Sequence, residues 1–338
     1  MRDVNINGFQ EKKNTLSFVQ PVKVLIGTNL AKITLKRNKM ANGTQTSSFG
    51  VSARLNHDSS KFYNSKMYKK INGNGDSQKE HFENENIIHA NVLNKIICDS
   101  SENMIGLPDS SIHLMITSPP YNVGKDYDKD LSLDEYLLML KKVFSEVKRV
   151  LVTGGRVCIN IANLGRKPYI PLHSYIIQIM SELSFFMRGE IIWDKSSSAG
   201  ASTAWGSWQS AKNPTLRDIH EYILIFSKDN YSRERHEKKD TITKNDFIQL
   251  TKSIWNFKAA SAKSIGHPAP FPEELPRRLI ELYSFENDVI LDPFMGSGQT
   301  AIAAIKSKRN YVGYDIDKSY CKLAEKRIKE IIEQTKLD

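Results

Sequence analysis

Residues 288–315 read DVILDPFMGSGQTAIAAIKSKRNYVGYD, and this stretch decides the fold. An apolar, strand-like run ends at Asp292, a loop carrying Gly296 and Gly298 follows, and a helical pattern covers 299–307. A second apolar strand over 311–314 ends in Asp315, and a helical pattern over 318–334 completes a βαβα unit. Strands that alternate with helices predict a mainly parallel, doubly wound sheet. The two glycines permit backbone torsions and a close ligand approach that a side chain blocks. The helix after them offers free N–H groups and the positive end of its dipole. Asp315 lies 23 residues beyond Asp292, the spacing at which a nucleotide-binding turn places an acid for ribose hydroxyls. Gly296-Ser297-Gly298 lacks the GxGxxG spacing and no phosphate-loop lysine follows, so a ribose-bearing cofactor without a pyrophosphate fits best. On this run alone, a plain strand–helix turn is the other reading.

Working outward, the same alternation reaches back to Ile87. Short apolar runs over 95–98 and 112–117 predict strands, the first leading into Asp99. Ser132-Leu133-Asp134-Glu135 has the form of a capping box and opens an amphipathic helix to about Leu151. Gly154-Gly155 is expected to break it before a strand over 157–161. A helix over 172–183, strands over 185–193 and 221–226, and a helix from Pro272 to about Tyr283 complete the pattern. Trp193 and His113 are expected in the core.

A second run carries chemistry. After the strand at 112–117 come Thr117-Ser118-Pro119-Pro120-Tyr121-Asn122. Two prolines stiffen the backbone and donate no N–H, which leaves their carbonyls as acceptors. Ser118 adds a hydroxyl and Tyr121 a flat aromatic face. Together they suit a planar group bearing an amine; the bland alternative is a polyproline-like loop with a packed tyrosine. Two strand ends of one sheet would bring this corner and the glycine loop to the same edge, where open α/β sheets bind ligands.

Bulk properties set the bounds. At 338 residues with 40% apolar content, the chain can bury one large core with a smaller module beside it. The net charge is +10, and residues 1–86 hold 14 Lys and Arg against 7 Asp and Glu. Residues 228–263 hold nine basic against five acidic side chains. A basic surface concentrated in two segments suits a polyanion such as DNA, or is simply a solvated face. The start lacks a secretory h-region and nothing approaches a membrane span, so a cytoplasmic, nucleoid-associated protein with no membrane partner is expected. Cys98, Cys158 and Cys321 show no ligand spacing and read as reduced core residues; no metal is expected.

The two runs, in this order, resemble the S-adenosylmethionine-dependent amino-group DNA methyltransferases of the permuted (beta) type. Residues 117–122 resemble that family's (S/D/N)PP(Y/F) motif, and residues 290–300 its DPFxGSGT motif, with Gln299 an extra or substituted position before Thr300. Gly313-Tyr314-Asp315 resembles the acidic ribose-binding strand end, Asp99 stands where the family contacts the adenine, and residues 267–272 resemble the segment closing over the methionine moiety. Residues 189–195 and 221–228 resemble family strands, and the likeness spans 87–332. It implies a seven-stranded, mainly parallel Rossmann-like methyltransferase sheet over 87–338. A basic extension at 1–86 precedes it, and candidate DNA-recognition segments sit at 196–217 and 228–263.

The likeness also implies roles. Ser118, Pro119, Pro120 and Tyr121 would be catalytic. Asp99, Asp292, Phe294, Gly296, Ser297, Gly298, Thr300, Asp315, Pro268 and Phe271 would bind S-adenosylmethionine. Trp205, Trp208, Lys212, Arg217, Lys61 and Tyr63 are candidates for contact with double-stranded DNA, each with a bland reading as core or solvated loop. Serine before the prolines is the form usual in cytosine-N4 enzymes, whereas aspartate or asparagine is more typical of adenine-N6 enzymes. Carbon-5 chemistry needs a cysteine nucleophile, usually after a proline, and none of the three cysteines follows one. The expectation is a site-specific cytosine-N4 methyltransferase of a restriction-modification system, with a cognate endonuclease as partner. The rivals are an adenine-N6 enzyme, a methyltransferase acting on RNA or protein, and a non-catalytic nucleic-acid-binding protein.

Overall fold

Apolar strands and amphipathic helices alternate along the chain and sort into one sheet with helices on both faces. The computed structural model describes residues 65–67, 83–121, 131–165, 167–198, 206–260 and 270–334. Strands are β1 (Lys95–Ile97), β2 (Ile112–Thr117), β3 (Leu151–Ile161), β4 (Leu164–Gly165), β5 (Tyr169–Ile170), β6 (Phe185–Asp194), β7 (His220–Lys228), β8 (Ile254–Asn256), β9 (Val289–Asp292) and β10 (Asn310–Tyr314). Helices are α1 (Leu133–Val150), α2 (Leu172–Glu182), α3 (Lys244–Leu250), α4 (Glu274–Tyr283), α5 (Gln299–Lys306) and α6 (Lys318–Gln334).

The main sheet has the order β1-β10-β9-β2-β3-β7-β6-β8, with β4 and β5 forming a separate hairpin. Every adjacent pair is parallel except those of β7, which runs antiparallel to both β3 and β6. The sheet therefore has eight strands where seven were expected; the extra one is β8, which pairs with β6 through Ile192, Trp193 and Asp194. Register aligns Ile97 with Tyr314, Gly313 with Asp292, and Met115 with Leu291. The C-terminal ends of β1, β10, β9 and β2 thus share one edge.

Period-two alternation divides the core. Met115, Val157, Ile159 and Leu291 face α1 and α2, while Leu114, Ile116, Cys158 and Ile290 face α4, α5 and α6. Helix α1 begins at the expected capping box: Ser132 accepts from Glu135 N, and the Glu135 carboxylate reaches back to the Ser132 N–H. It ends at Val150, and β3 starts at the next residue, with Leu151 already extended. Gly154-Gly155 does not separate the two elements, contrary to expectation, but lies inside β3. Gly154 has φ +76°, and a Cβ there would lie 2.0 Å from the Ser232 carbonyl oxygen, so the glycine lets the 231–240 loop cross the strand.

Glu83, Glu85 and Asn86, read from the sequence as the end of the basic extension, bond to the sheet unit. Asn86 N donates to Ser110 O at 2.8 Å, Ser110 Oγ to Glu83 at 2.9 Å, and Lys238 Nζ to Glu85 at 2.6 Å. Trp193 is in the core, its Nε1 donating to Phe257 O, and so is His113. Cys158 and Cys321 are buried, but Cys98 is exposed at the end of β1, a correction to the expectation of three core thiols. Among the described residues no helix is long and apolar enough to cross a membrane, and no three His, Cys, Asp or Glu side chains gather as a metal site would need.

Candidate active site

Strand β2 ends where its apolar run meets two prolines, and β9 ends where its apolar run meets Pro293. At this shared edge a cavity of about 580 Å³ opens. Its wall includes Ser118, Pro119, Pro120 and Tyr121 from one corner and Pro293, Phe294 and Gly296 from the other. Asp99 after β1 and Asp315 after β10 line the same space. Residues about 175 positions apart in sequence are thus brought to one cavity, whose size lies within the range of small-molecule sites.

Asp292 ties the two corners together. Thr117 Oγ1 donates to its Oδ1 at 2.7 Å, Thr300 Oγ1 to its Oδ2 at 2.6 Å, and Phe294 N to Oδ1 at 3.0 Å. Asp292 and Thr300 are fully buried, and burial pushes the Asp292 carboxyl up to about 6 despite these three donors. Both were expected as cofactor ligands; in the structure they face each other and neither lines the cavity. Gly298 is the left-handed N-cap of α5, φ +83°, and a Cβ there would come within 3.0 Å of Ala324 on α6, so this glycine serves packing. Ser297 is buried with its carbonyl bonded to Arg327, and Phe271 packs among the α4–α6 side chains, its carbonyl accepting from Gln299 Nε2 at 3.0 Å. Neither lines the cavity. Pro268 lies outside the described residues.

Of the residues expected to bind the cofactor, Asp99, Phe294, Gly296 and Asp315 line the cavity. Asp315 Oδ2 accepts from Gly296 N at 2.8 Å and Oδ1 from Asp317 N at 2.9 Å, which fixes its carboxylate at the lip of the loop. Burial raises its carboxyl above the ordinary value. Among the described residues, Asp99, Glu102, Glu135, Asp315 and Asp317 line the cavity against the single cation Lys142, itself bound to Glu102 at 3.0 Å. An acidic wall with one carboxylate at a strand end suits a ligand that carries positive charge and vicinal hydroxyls, which S-adenosylmethionine does.

Sequence reasoning missed two groups here. Leu138, Met139 and Val143 of α1 form an apolar wall; the signal the sequence held was Leu138, an apolar residue off the helix's core stripe, which the structure leaves 56% exposed. The other group is polar. Glu221, at the start of β7, accepts from Asn160 Nδ2 at 2.6 Å and pairs with Lys195, and the Tyr121 hydroxyl lies 3.5 Å from the same carboxylate. Burial, then the Glu221 charge, raises the Tyr121 phenol well above its ordinary value, so it stays protonated.

Of the DNA candidates, Trp208 is exposed on a loop closed by the Gly206–Pro214 bridge, Lys212 is exposed, and Arg217 is half-buried. Trp205, Lys61 and Tyr63 lie outside the described residues. The basic segment at 228–263 is corrected in part. Lys228 is buried and donates to Leu151 O at 2.7 Å, and Arg233 and Lys238 turn inward onto Glu85 and Asp288. These three cations already have internal partners.

The profile of the N6/N4 DNA methylases matches residues 112–326. The type II methyltransferase M.MjaI of Methanocaldococcus jannaschii is 34% identical over 277 residues, covering 69% of this chain and 90% of that protein. The Thermus thermophilus protein TTHA0409, solved in complex with S-adenosyl-L-methionine, superposes with TM-score 0.57 at 29% identity over 70% of this chain and 93% of that one. The PvuII DNA methyltransferase, cytosine-N4-specific, shares the fold at TM-score 0.55 and 19% identity, over 71% and 91% of the two chains. With the profile spanning β2 through α6 and a relative matched over nearly its whole length, this chain belongs to the N6/N4 family of DNA methylases.

Proposed function

We propose that this enzyme methylates the N4 amine of a cytosine at a specific DNA site, with S-adenosylmethionine as methyl donor, as the modification partner of a restriction endonuclease. One observation carries the reading: Ser118–Tyr121 and the Gly296–Asp315 lip open into a single cavity, tied beneath by Asp292. Asp315 would hold the ribose hydroxyls and Asp99 the adenine. S-adenosylmethionine, when bound, supplies an electrophilic methyl group on a sulfonium.

The chain's own residues address the nucleophile. A cytosine amine is weak because its lone pair is delocalised into the ring. Ser118 Oγ and the Pro119 carbonyl, accepting its two hydrogens, favour a pyramidal nitrogen and free that pair. A cavity closed to water strengthens these contacts, and holding the amine in line contributes several kcal/mol by orientation. The base reaches such a cavity only by leaving the duplex, and the Tyr121 ring offers a face to replace its lost stacking. Serine at position 118 supports cytosine over adenine. Exposed Trp208 and Lys212 on the 206–217 loop suit contact with the flanking DNA.

Incubation with duplex DNA and labelled S-adenosylmethionine, digestion to nucleosides and identification of the labelled product tests the whole. N4-methylcytosine is expected. N6-methyladenine would reassign the base, and no incorporation together with no cofactor binding would leave a DNA-binding protein on a methyltransferase scaffold.

A further inference from the structure

Beside the catalytic corner stands an ion pair that the chemistry just described does not use. Glu221 and Lys195 have side chains 14% and 23% exposed. Such a pair, drawn away from water, is a poor source of stability, because desolvation offsets most of its attraction. Its placement is nevertheless over-determined. Glu221 faces Trp193 in the β6–β7 ladder, and Lys195 N donates to Ile219 O at 2.7 Å. The Lys195 ammonium sits 5.4 Å from the centroid of the buried Trp193 ring. Asn160, buried at the end of β3, gives its amide to the other Glu221 oxygen at 2.6 Å. The carboxylate, carried on β7, is thus fixed from β3 and from the residue that follows β6, and what it faces is the Tyr121 hydroxyl at 3.5 Å, which in turn lies 3.4 Å from Ser118 Oγ.

Both distances are at the outer limit of hydrogen bonding. Contacts of this kind are commonly long in the free enzyme and shorten in the reacting complex. The two groups at the end of the chain, the Tyr121 ring and the Ser118 hydroxyl, are the two that meet the base.

We propose that Glu221, locked by Lys195 and Asn160, is a positioning residue that holds the Tyr121 hydroxyl and so sets the ring and the Ser118 oxygen for the flipped-out base. The inference rests on the reading of Ser118 and Tyr121 as the amine-binding corner. The carboxylate accepts from a protonated phenol and no proton need leave Tyr121.

The test uses the full chain and four proteins: wild type, Glu221→Gln, Tyr121→Phe and the double variant. Tyr121→Phe removes one oxygen and keeps the ring, so it folds even where the charge change at Glu221 does not. Each single variant is expected to lower kcat about 10-fold with the dissociation constant for S-adenosylmethionine unchanged, and the double variant to lie near the worse single, because both break one link. Fluorescence of 2-aminopurine at the target position should rise less with either variant than with wild type. A duplex with a mismatched, unpaired target base should restore most of the lost rate, which no general weakening of the fold would do. Multiplied losses near 100-fold in the double variant, or Glu221→Gln with wild-type kcat, would overturn the positioning role. A wild-type protein that transfers no methyl group refutes the underlying function instead, so the two failures are told apart by the first measurement.

Discussion

Strand β9 carries an aspartate just before its start and another at its end, four positions apart, and the fold treats them in opposite ways. Asp288 meets cations: Arg233 and Lys238 both pair with it, and His113 stands 3.7 Å away. Burial works against its charge, but these partners hold the carboxyl below its ordinary value. Asp292 meets only neutral donors, and burial lifts it to about 6. The same contrast holds along β2, from His113 in the ionic clasp to Ser118 in the cavity, and no cation lies within ion-pair distance of Asp292 or Asp315 among the described residues. One edge of the sheet is neutralised internally and closes the fold onto Glu85 and the 231–240 loop. The other edge holds Asp292 through neutral donors alone and turns Asp99 and Asp315 to the cavity.

The clasp is where a single change should cost most. Arg233→Ala leaves Asp288 with Lys238, the Phe285 N–H and His113, and stability should fall by roughly 3 kcal/mol, the lower end for a broken buried pair because one lysine remains. Urea unfolding reads this directly, while activity per folded molecule should hold below the transition. A loss under about 1 kcal/mol would mean that the clasp is ornamental. At the opposite edge the sign of the comparison reverses. Ser118→Ala should leave unfolding within about 0.5 kcal/mol of wild type yet lower kcat on the order of 100-fold, the usual scale for removing one preorganised group. Asp315→Ala should weaken S-adenosylmethionine binding about 10-fold, close to 1.4 kcal/mol, with calorimetric titration as the measure. An unchanged dissociation constant would remove the ribose contact from the site.

The sequence was most legible where backbone chemistry is local. Uninterrupted apolar runs placed β2 and β9 and, as two strand ends of one sheet, both corners at one edge, and the Ser132–Glu135 capping box placed α1. It was least legible where a side chain's direction depends on a distant strand. Asp292 and Thr300 belong to the glycine-loop motif, yet neither lines the cavity: Asp292 accepts from Thr300 on one oxygen and from Thr117, at the end of β2, on the other. Glu221 on β7, Asn160 on β3 and Lys195 just after β6 share no motif; only the antiparallel insertion of β7 between β3 and β6 makes them neighbours. Charge counts misled at 228–263 for a related reason: a basic residue advertises a cation, not whether Asp288 or Glu85 already waits for it.

The smallest expected effect sharpens the comparison most, because the two aspartates should respond to acid with opposite sign. Asp292 is raised in the folded protein to about 6, so between pH 4 and 6 the native state holds a proton that the unfolded chain has released. Linkage then makes its contribution to stability decline as pH rises through that window. Asp288, Glu85 and His113 are all lowered in the fold; for them the unfolded chain binds more protons, and stability falls as pH drops through their ordinary ranges. In wild type the two edges therefore partly cancel, giving a shallow slope between pH 4.5 and 6. Asp292→Asn removes one side of the balance. Its unfolding free energy, followed in urea at half-unit steps, should climb with pH more steeply than that of wild type, by up to about 1 kcal/mol per pH unit. Parallel slopes for the two proteins would show that Asp292 titrates alike in both states, and the distinction between a neutralised edge and a poised one would have lost its electrostatic basis.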